Sequence, residues 1–288
     1  MEKFESLREP MDMPDPHFPI KLHRINFNQQ GVVIFPHHWH EHLEFLYIVS
    51  GEASIECSST TITASAGDLI VVNSNELHYG ISRSEHLFYY ALIADISLLH
   101  SHSVDAAETK FITPITQNRL LLRNYISGDR EAEACMLAIV KELELREFGY
   151  ELAIKSELYR LLTLLLRGHV NMVLTQDEYA ERMKNIERFA PVFQYIEKGY
   201  KEELSVDLLA GLAGLSRFHF SRLFKELSGH TVTEYITMTR LNKADYLLRH
   251  SPLTVSEIAA ATGFNDIYYF SRTFKKHKRM SPSALRGS

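Results

Sequence analysis

The chain has 288 residues, 45% of them hydrophobic and 23% charged, which are globular proportions and enough length for two domains with a connector. Two cysteines, Cys57 and Cys135, are too few for a disulfide framework and fit a reducing cytoplasm; no run approaches the ~18 apolar residues of a membrane helix, and the start MEKFESLREP lacks the apolar core of a signal peptide. The net charge of −5 is unevenly spread, with 17 Lys+Arg against 11 Asp+Glu in residues 181–288 (net +6) and 14 against 25 before them (net −11). A basic back half points to a polyanion partner, whereas the acidic front would repel DNA and has another task.

The first element is an arm, residues 1–19, with Pro10, Pro14, Pro16 and Pro19. It reads as extended, and it lies across a pocket, across the basic end, or remains a free tail. From about residue 20 to 100, short apolar runs alternate with turn signals. The runs are Gly31–Phe35, Leu43–Val49, Ala53–Cys57, Thr60–Thr63, Asp68–Val72 and His86–Ile93. They are rich in β-branched and aromatic residues, which predicts an all-β sandwich or barrel.

From Gln117 to His169 the period becomes helical. Met136, Val140 and Leu143 repeat at 4 and 3, and Ile154, Leu158, Leu161 and Leu165 at 4, 3 and 4. Gly128-Asp129 and Phe148-Gly149 break the pattern, which predicts an αα-hairpin with a shorter helix before it. The second helix has a broad apolar face that includes Leu162 and Leu166. It packs on the barrel or forms a seam between two subunits. Residues 170–185 read as linker, and from Ile186 onward the chain reads as helical.

The back segment repeats itself. Phe220-Ser-Arg-Leu-Phe-Lys225 recurs as Phe270-Ser-Arg-Thr-Phe-Lys275, and Leu209-Ala210…Gly214-Leu215 as Ile258-Ala259…Gly263-Phe264. Each copy is a short helix, a glycine turn, and a second helix opened by a cap: Ser216 in one, Asn265 or Asp266 in the other. Phe220, Leu223, Phe224 and Leu227 form the dry face of the first, and Phe270, Thr273 and Phe274 that of the second. The wet faces present Arg217, Ser221, Arg222 and Lys225, then Tyr268, Ser271, Arg272 and Lys276. Arginine, serine and aromatic side chains on an exposed helix suit a major groove, and two such helices on one DNA face sit about 34 Å apart.

Val255-Ser-Glu-Ile-Ala…Thr262-Gly-Phe-Asn…Tyr269-Phe-Ser-Arg-Thr-Phe-Lys-Lys276…Ser281-Pro282 resembles the signature of AraC/XylS transcription regulators, over about 100 residues. The resemblance implies two helix-turn-helix units reading successive major-groove segments of double-stranded DNA. The groove-facing positions it implies are Arg217, Phe218, Ser221 and Arg222, then Ile267, Tyr268, Ser271 and Arg272. It also implies a homodimer seamed by the helical hairpin, and activation through RNA polymerase. Two departures stand out. Ile267 and Tyr268 replace polar readers, which affects the sequence read; Lys278-Arg279 replaces the usual Phe-Gly, with a change in phosphate contacts expected.

The front segment holds a second motif. His38-Trp-His40-Glu-His-Leu-Glu44, then Gly51 after six residues, and Gly67-Asp-Leu-Ile-Val-Val-Asn-Ser-Asn-Glu-Leu-His78 have the spacing of the two cupin motifs, with Asn73 and Asn75 where Pro and Gly are usual. His38, His40, Glu44 and His78 form a three-histidine, one-carboxylate set. Ligands at i and i+2 share one side of a strand, which suits a single Mn, Fe, Ni or Zn ion. Such sites also run dioxygenases and isomerases, so a metal-dependent cupin enzyme is the alternative reading. The same residues serve equally as packing or effector contacts in the sensory barrels that the resemblance implies.

The expected architecture is therefore α+β and multidomain: a cupin-like barrel with its arm over residues 1–115, a helical dimerisation segment and linker over 116–185, and an all-α double helix-turn-helix over 186–288. The expected function is a cytoplasmic, ligand-responsive transcription regulator rather than an enzyme. Its effector, a sugar or related metabolite, would be held by His38, Trp39, His40, Glu44, Tyr47 and His78, with Trp39 stacking on it. A constitutive DNA-binding dimer with a non-sensing barrel is the third reading.

Overall fold

A computed structural model describes residues 8–58, 60–100, 105–278 and 280–286; the first seven residues of the arm and Arg279 lie outside the described residues. The barrel is built from β1 (Ile20–Phe27), β2 (Val33–His38), β3 (Leu43–Ser50), β4 (Glu52–Cys57), β5 (Thr60–Ser65), β6 (Leu69–Val72), β7 (His78–Ser82) and β8 (Leu87–Ala94). All pair antiparallel in two sheets, β1-β8-β3-β6 and β2-β7-β4-β5. Alternation along β3 assigns its side chains. Leu46 and Ile48 point into the barrel with Ile55, Ile70, Val72 and Tyr89, while Phe45 and Tyr47 point out from it. Both faces of β3 are covered, which is why its sequence reads as one unbroken apolar run.

The outward face of that sheet is covered by a helical hairpin. A four-residue α1 (Thr113–Thr116) is followed by β9 (Leu120–Leu122) and β10 (Tyr125–Ile126), then by α2 (Arg130–Leu145) and α3 (Tyr150–Gly168). Ile154, Leu158, Leu161, Leu162 and Leu165 are buried against Phe45, Tyr47, Leu69 and Leu92. The stripe on α3 is thus used within the chain, and Leu166 packs at its edge. The predicted third helix is replaced by strands. β10 extends the sheet beside β6, and β9 pairs with β11 (Val170–Val173), which the sequence had placed in a linker. Asn73 fixes this segment: its Nδ2 donates to Leu122 O at 3.0 Å and its Oδ1 accepts from Leu122 N at 2.8 Å. Asn75, at φ 58, adopts the left-handed conformation that a glycine takes easily.

No linker separates the barrel half from the basic half. α4 (Gln176–Gly199) starts with a capping box, Thr175 with Glu178, and runs through the expected boundary. Then follow α5 (Val206–Leu212), α6 (Arg217–Ser228), α7 (Val232–His250), α8 (Val255–Ala261), α9 (Ile267–Lys278) and α10 (Pro282–Arg286). Ser216 caps α6, and the Asp266 carboxylate accepts from Tyr268 N at 2.7 Å to open α9. The turns contain Gly214 at φ 64 and Gly263 at φ 84; a Cβ on Gly263 would lie 2.6 Å from Lys201 O. Each helix-turn-helix has its own core, Phe220, Phe224 and Phe189 in one and Phe270, Phe274 and Ile258 in the other. Among the described residues, no helix is long and apolar enough to cross a membrane.

Leu161→Ala removes a fully buried side chain from the hairpin–sheet core and should lower unfolding free energy by about 2–5 kcal/mol. Ser156→Ala, on the exposed side of the same helix, should stay within about 0.5 kcal/mol. Urea denaturation followed by circular dichroism separates the two.

Candidate functional site

Strands β2, β3 and β7 and the segment between β2 and β3, which carries His40, bring His38, His40, Glu44 and His78 together. One ligand atom from each lies within 4.8 Å of the others. Three of the four are buried and His38 is partly exposed. Each ring is oriented by a backbone carbonyl: His38 Nδ1 lies 2.8 Å from Pro36 O, His40 Nδ1 3.1 Å from His42 O, and His78 Nδ1 2.8 Å from Glu76 O. A carbonyl accepts only from N–H, so each Nδ1 carries a proton; Nε2 then donates to a carboxylate when the ring is charged and offers a lone pair when it is neutral. Glu44 Oε2 lies 3.2 Å from His40 Nε2 and 3.1 Å from His78 Nε2. Burial pushes the Glu44 carboxyl up, but the His40 and His78 rings outweigh it and hold the group well below the usual carboxylate range. His78 Nε2 is close enough to Glu44 for an ion pair but not aligned for a hydrogen bond, which leaves a buried ring nitrogen without a partner. Rings held at Nδ1 with Nε2 convergent, beside a buried carboxylate, fit a divalent ion.

Two of the expected effector residues lie elsewhere. Trp39 follows the end of β2 and faces away from the cluster, into a crevice with Leu77, Phe193 and Leu227. Tyr47 is on the outward face of β3, three residues from Glu44, and its hydroxyl donates to Glu133 of α2 at 2.6 Å. An odd spacing along a strand puts two side chains on opposite faces. The arm contributes a residue the sequence did not suggest: Glu9 Oε2 is 3.1 Å from His38 Nε2.

The barrel also meets the basic half directly. His37 stacks on Tyr79 at 4.4 Å between ring centroids and lies 4.9 Å from the ring of Tyr235 on α7. His230, just before α7, places Nε2 3.0 Å from Glu56 Oε2 on β4. Tyr79 donates to Asn242 Oδ1 of α7 at 3.1 Å, and Lys278 Nζ donates to the same oxygen at 3.0 Å. Lys278 is therefore buried beside Asn242 and Asp245. Between barrel and α7 runs a cleft of about 900 Å³, lined by His38, Glu44, Phe35 and Tyr89 on one side and by Tyr235, Thr239, Asn242 and Lys243 on the other. The α7 contacts gave no sequence signal, because a helix packed on several sides has no clean apolar stripe.

The expected groove-facing side chains are on the surface. Arg217, Phe218, Ser221, Arg222 and Lys225 of α6 are exposed, as are Ile267, Tyr268, Arg272 and Lys276 of α9, while Ser271 is half-buried. Phe218 and Tyr268 are 83% and 78% exposed, which is a large apolar exposure to leave on a helix without a partner. Arg217 reaches Asp207 at 3.2 Å and Arg222 reaches Glu226 at 3.8 Å, exposed pairs that phosphate could replace.

Residues 209–288 match the family model of a helix-turn-helix domain, and residues 23–162 match that of the AraC-like ligand binding domain. The chain belongs to the AraC family of transcription regulators. An HTH-type transcriptional regulator of Bacillus subtilis, YdeC, is 24% identical over 285 residues, covering 96% of this chain and 95% of that protein. A second regulator of this type, SAR0107 of Staphylococcus aureus, is 24% identical over 84% of this chain, which spans only 31% of that longer protein. Among solved structures, Vibrio cholerae ToxT with a bound unsaturated fatty acid is 13% identical, covers 92% of this chain and 94% of that chain, and has a TM-score of 0.44.

Domain docking in this AraC-family protein should depend on pH through His230. Its hydrogen bond to Glu56 raises its pKa, so the docking it contributes is complete below the ordinary histidine value and is lost as pH rises through the raised one. Burial pushes Glu56 up, but His230 and His37 hold it at about 2, so its charge persists until pH falls that low. Trp39, the only tryptophan, lies in the interdomain crevice. Its emission should shift to the red as pH rises from about 6 to 8, and His230→Ala should show the shifted spectrum throughout.

Proposed function

We propose that this regulator acts in the cytoplasm as a homodimer whose DNA binding responds to a small metabolite held in the cleft between barrel and α7. The observation that carries this reading is that one cleft is lined by His38 and Glu44 of the cluster on one side and by α7 on the other. α7 belongs to both DNA-binding cores: Val232, Tyr235 and Ile236 pack in the first, and Leu241, Ala244 and Leu248 in the second. A ligand against α7 therefore acts on the helix that spaces the two recognition helices, favouring one arrangement over another. Tyr89, whose buried hydroxyl has no hydrogen-bond partner, offers such a ligand a polar contact.

A sugar effector rested on stacking by Trp39, which lies outside the cleft. Sugars and sugar acids stay in the ligand panel, although the rings available to them are Phe35, Tyr89, Tyr235 and Tyr246. His38, His40, Glu44 and His78 would hold a divalent ion, which would supply a Lewis-acidic anchor for an oxygen of the ligand. The dimer has a surface to use, since Leu145, Phe148 and Leu152 at the hairpin turn are exposed. Polymerase contact is implied by the family alone.

The test is a DNA-binding titration with and without a metabolite panel, its stoichiometry read by sedimentation. A saturable change in DNA affinity is expected with at least one compound, at two chains per duplex. Ile25→Trp, which narrows the cleft, should abolish the response and leave basal affinity intact. Arg222→Ala or Arg272→Ala should weaken specific binding by about 1–3 kcal/mol where the side chain reads a base. DNA affinity that no cleft ligand alters would favour the constitutive reading.

Zn, Mn or Ni should each be tried for a rise in melting temperature. The rise expected for one of them should disappear in Glu44→Gln and in His78→Ala. No rise with any ion would leave the cluster as a purely protein-made site.

A further inference from the structure

Two neighbouring side chains on the outside of the barrel hold the ends of both α6 and α9. Glu56 of β4 and Tyr79 of β7 are direct cross-strand partners, so they stand side by side on one face of the sheet. That face is the outer one, because Ile55 and Cys57, on either side of Glu56, point into the barrel core. Glu56 reaches the first helix-turn-helix: its Oε2 lies 3.0 Å from Nε2 of His230, just past the end of α6. His230 is fixed to that helix end, since its backbone N–H donates to Ser228 Oγ at 3.3 Å. Tyr79 reaches the second unit through Asn242 of α7. The Asn242 Oδ1 accepts from Tyr79 at 3.1 Å and, at 3.0 Å, from Nζ of Lys278, the last residue of α9. His37 braces the pair, stacked on the Tyr79 ring and 3.7 Å from Glu56 Oε2.

Between the two units, α7 alone is a pliable spacer. Its buried contacts to the first core end at Ile236, and those to the second begin at Leu241. The turn between them carries Thr237 and Thr239, whose hydroxyls donate back to Thr233 O at 2.8 Å and Tyr235 O at 3.0 Å. Threonine is a poor helix former, and this back-bonding favours bending. We propose that Glu56 and Tyr79 act as a spacing gauge. By holding His230 and the Asn242–Lys278 pair at adjacent strand positions, they fix the distance and angle between α6 and α9. The regulator is thereby restricted to DNA whose two contacted segments lie at one separation. The inference rests on the reading of α6 and α9 as the groove-facing helices, and it names what sets their spacing. Glu56 and Tyr79 are positioning residues, since both act through α7 and the helix ends. One added base pair moves the second segment by about 3.4 Å and turns it by roughly 35°. A bent α7 can follow that shift once the barrel contacts open, so the contacts are what the altered DNA has to break.

Duplexes are first selected from a randomised pool by the wild-type chain, and hydroxyl-radical footprinting marks the two contacted segments. Affinity is then measured for the recovered duplex and for versions with one base pair inserted or removed between those segments. The proteins compared are wild type, Tyr79→Phe, Glu56→Ala and the double variant. Tyr79→Phe keeps the ring on His37 and loses only the hydroxyl. Wild type should bind the altered duplexes roughly tenfold or more weakly, the double variant about threefold or less, and each single variant in between. Thr61→Ala, opposite Glu56 on the neighbouring strand, should discriminate as wild type does. A merely structural role for the pair would lower the melting temperature of the double variant and leave its discrimination unchanged, which overturns the inference. Wild-type binding that is equal at all three spacings overturns it too, with the reading of α6 and α9 left standing. If no duplex with two contacted segments is recovered, that reading falls and the inference falls with it.

Discussion

α7 is packed into both DNA-binding cores and held to the barrel by a third set of contacts, and the remaining geometry follows from that sharing. Tyr235 lies in the first core and against His37 of the barrel. Asn242 accepts from Tyr79 of the barrel and from Lys278 of the second unit through one oxygen. Arg240 donates to Tyr200 O at 2.6 Å and Glu202 O at 2.8 Å, tying the helix to the end of α4. Moving α7 therefore strains the two helix-turn-helix cores little, since they travel with it, and strains the barrel contacts most. Among the described residues those contacts include the tilted ring pair of His37 and Tyr235, the His230–Glu56 ion pair and the hydrogen bond from Tyr79 to Asn242. A polar, divided interface of this kind permits relative domain motion far more readily than an apolar core would.

The histidine cluster obeys a different economy. Three imidazoles and a carboxylate taken from water together need their polar atoms satisfied, or each carries a desolvation penalty. The backbone carbonyls of Pro36, His42 and Glu76 satisfy every Nδ1. The Nε2 atoms share Glu44 and Glu9, and His78 still goes without a hydrogen bond. Burial lowers the His78 pKa and also opposes the charged form of His38, whose pKa Glu9 nevertheless raises. A barrel that only needed filling would place aliphatic side chains here, as it does at Leu46 and Ile48. The polar set therefore carries a desolvation cost that aliphatic packing would avoid.

Much of this was legible in the sequence wherever the information was local or periodic. The repeat of Phe220-Ser-Arg with Phe270-Ser-Arg located the second helix of each helix-turn-helix, and the spacing from His38 to His78 located the cluster. Reading failed where a face had to be chosen without knowing the register. Trp39 sits between two cluster histidines in sequence and points away from both, and Tyr47 falls on the outer side of the sheet. The apolar stripe of α3 is the same letters whether it meets a sheet or a second subunit, and only burial against Phe45 and Leu69 decides. Contacts between domains left no pattern at all: His230 and Glu56 are 174 residues apart, and neither sits in a motif. The replacement of the usual Phe-Gly by Lys278-Arg279 was legible, but the partners of Lys278, Asp245 and Asn242 on α7, were not, because they lie more than 30 residues away in sequence.

The energies involved are matched to signalling. Coupling between ligand and DNA needs only about 1–3 kcal/mol to change affinity by one or two orders of magnitude. The Glu56–His230 pair is partly exposed and contributes on the order of 1 kcal/mol after solvent screening, and a hydrogen bond such as Tyr79 to Asn242 contributes about the same. Losing two such contacts at the barrel is enough to redistribute the population of docked and released forms. Losing two within either DNA-binding core would be insufficient to unfold it, because aromatic packing of Phe220 and Phe224, or of Phe270 and Phe274, dominates there. The seam between barrel and α7 thus runs along the cleft, and under the function proposed above a ligand entering there would act on contacts that cost little to change and would leave both helix-turn-helix cores intact.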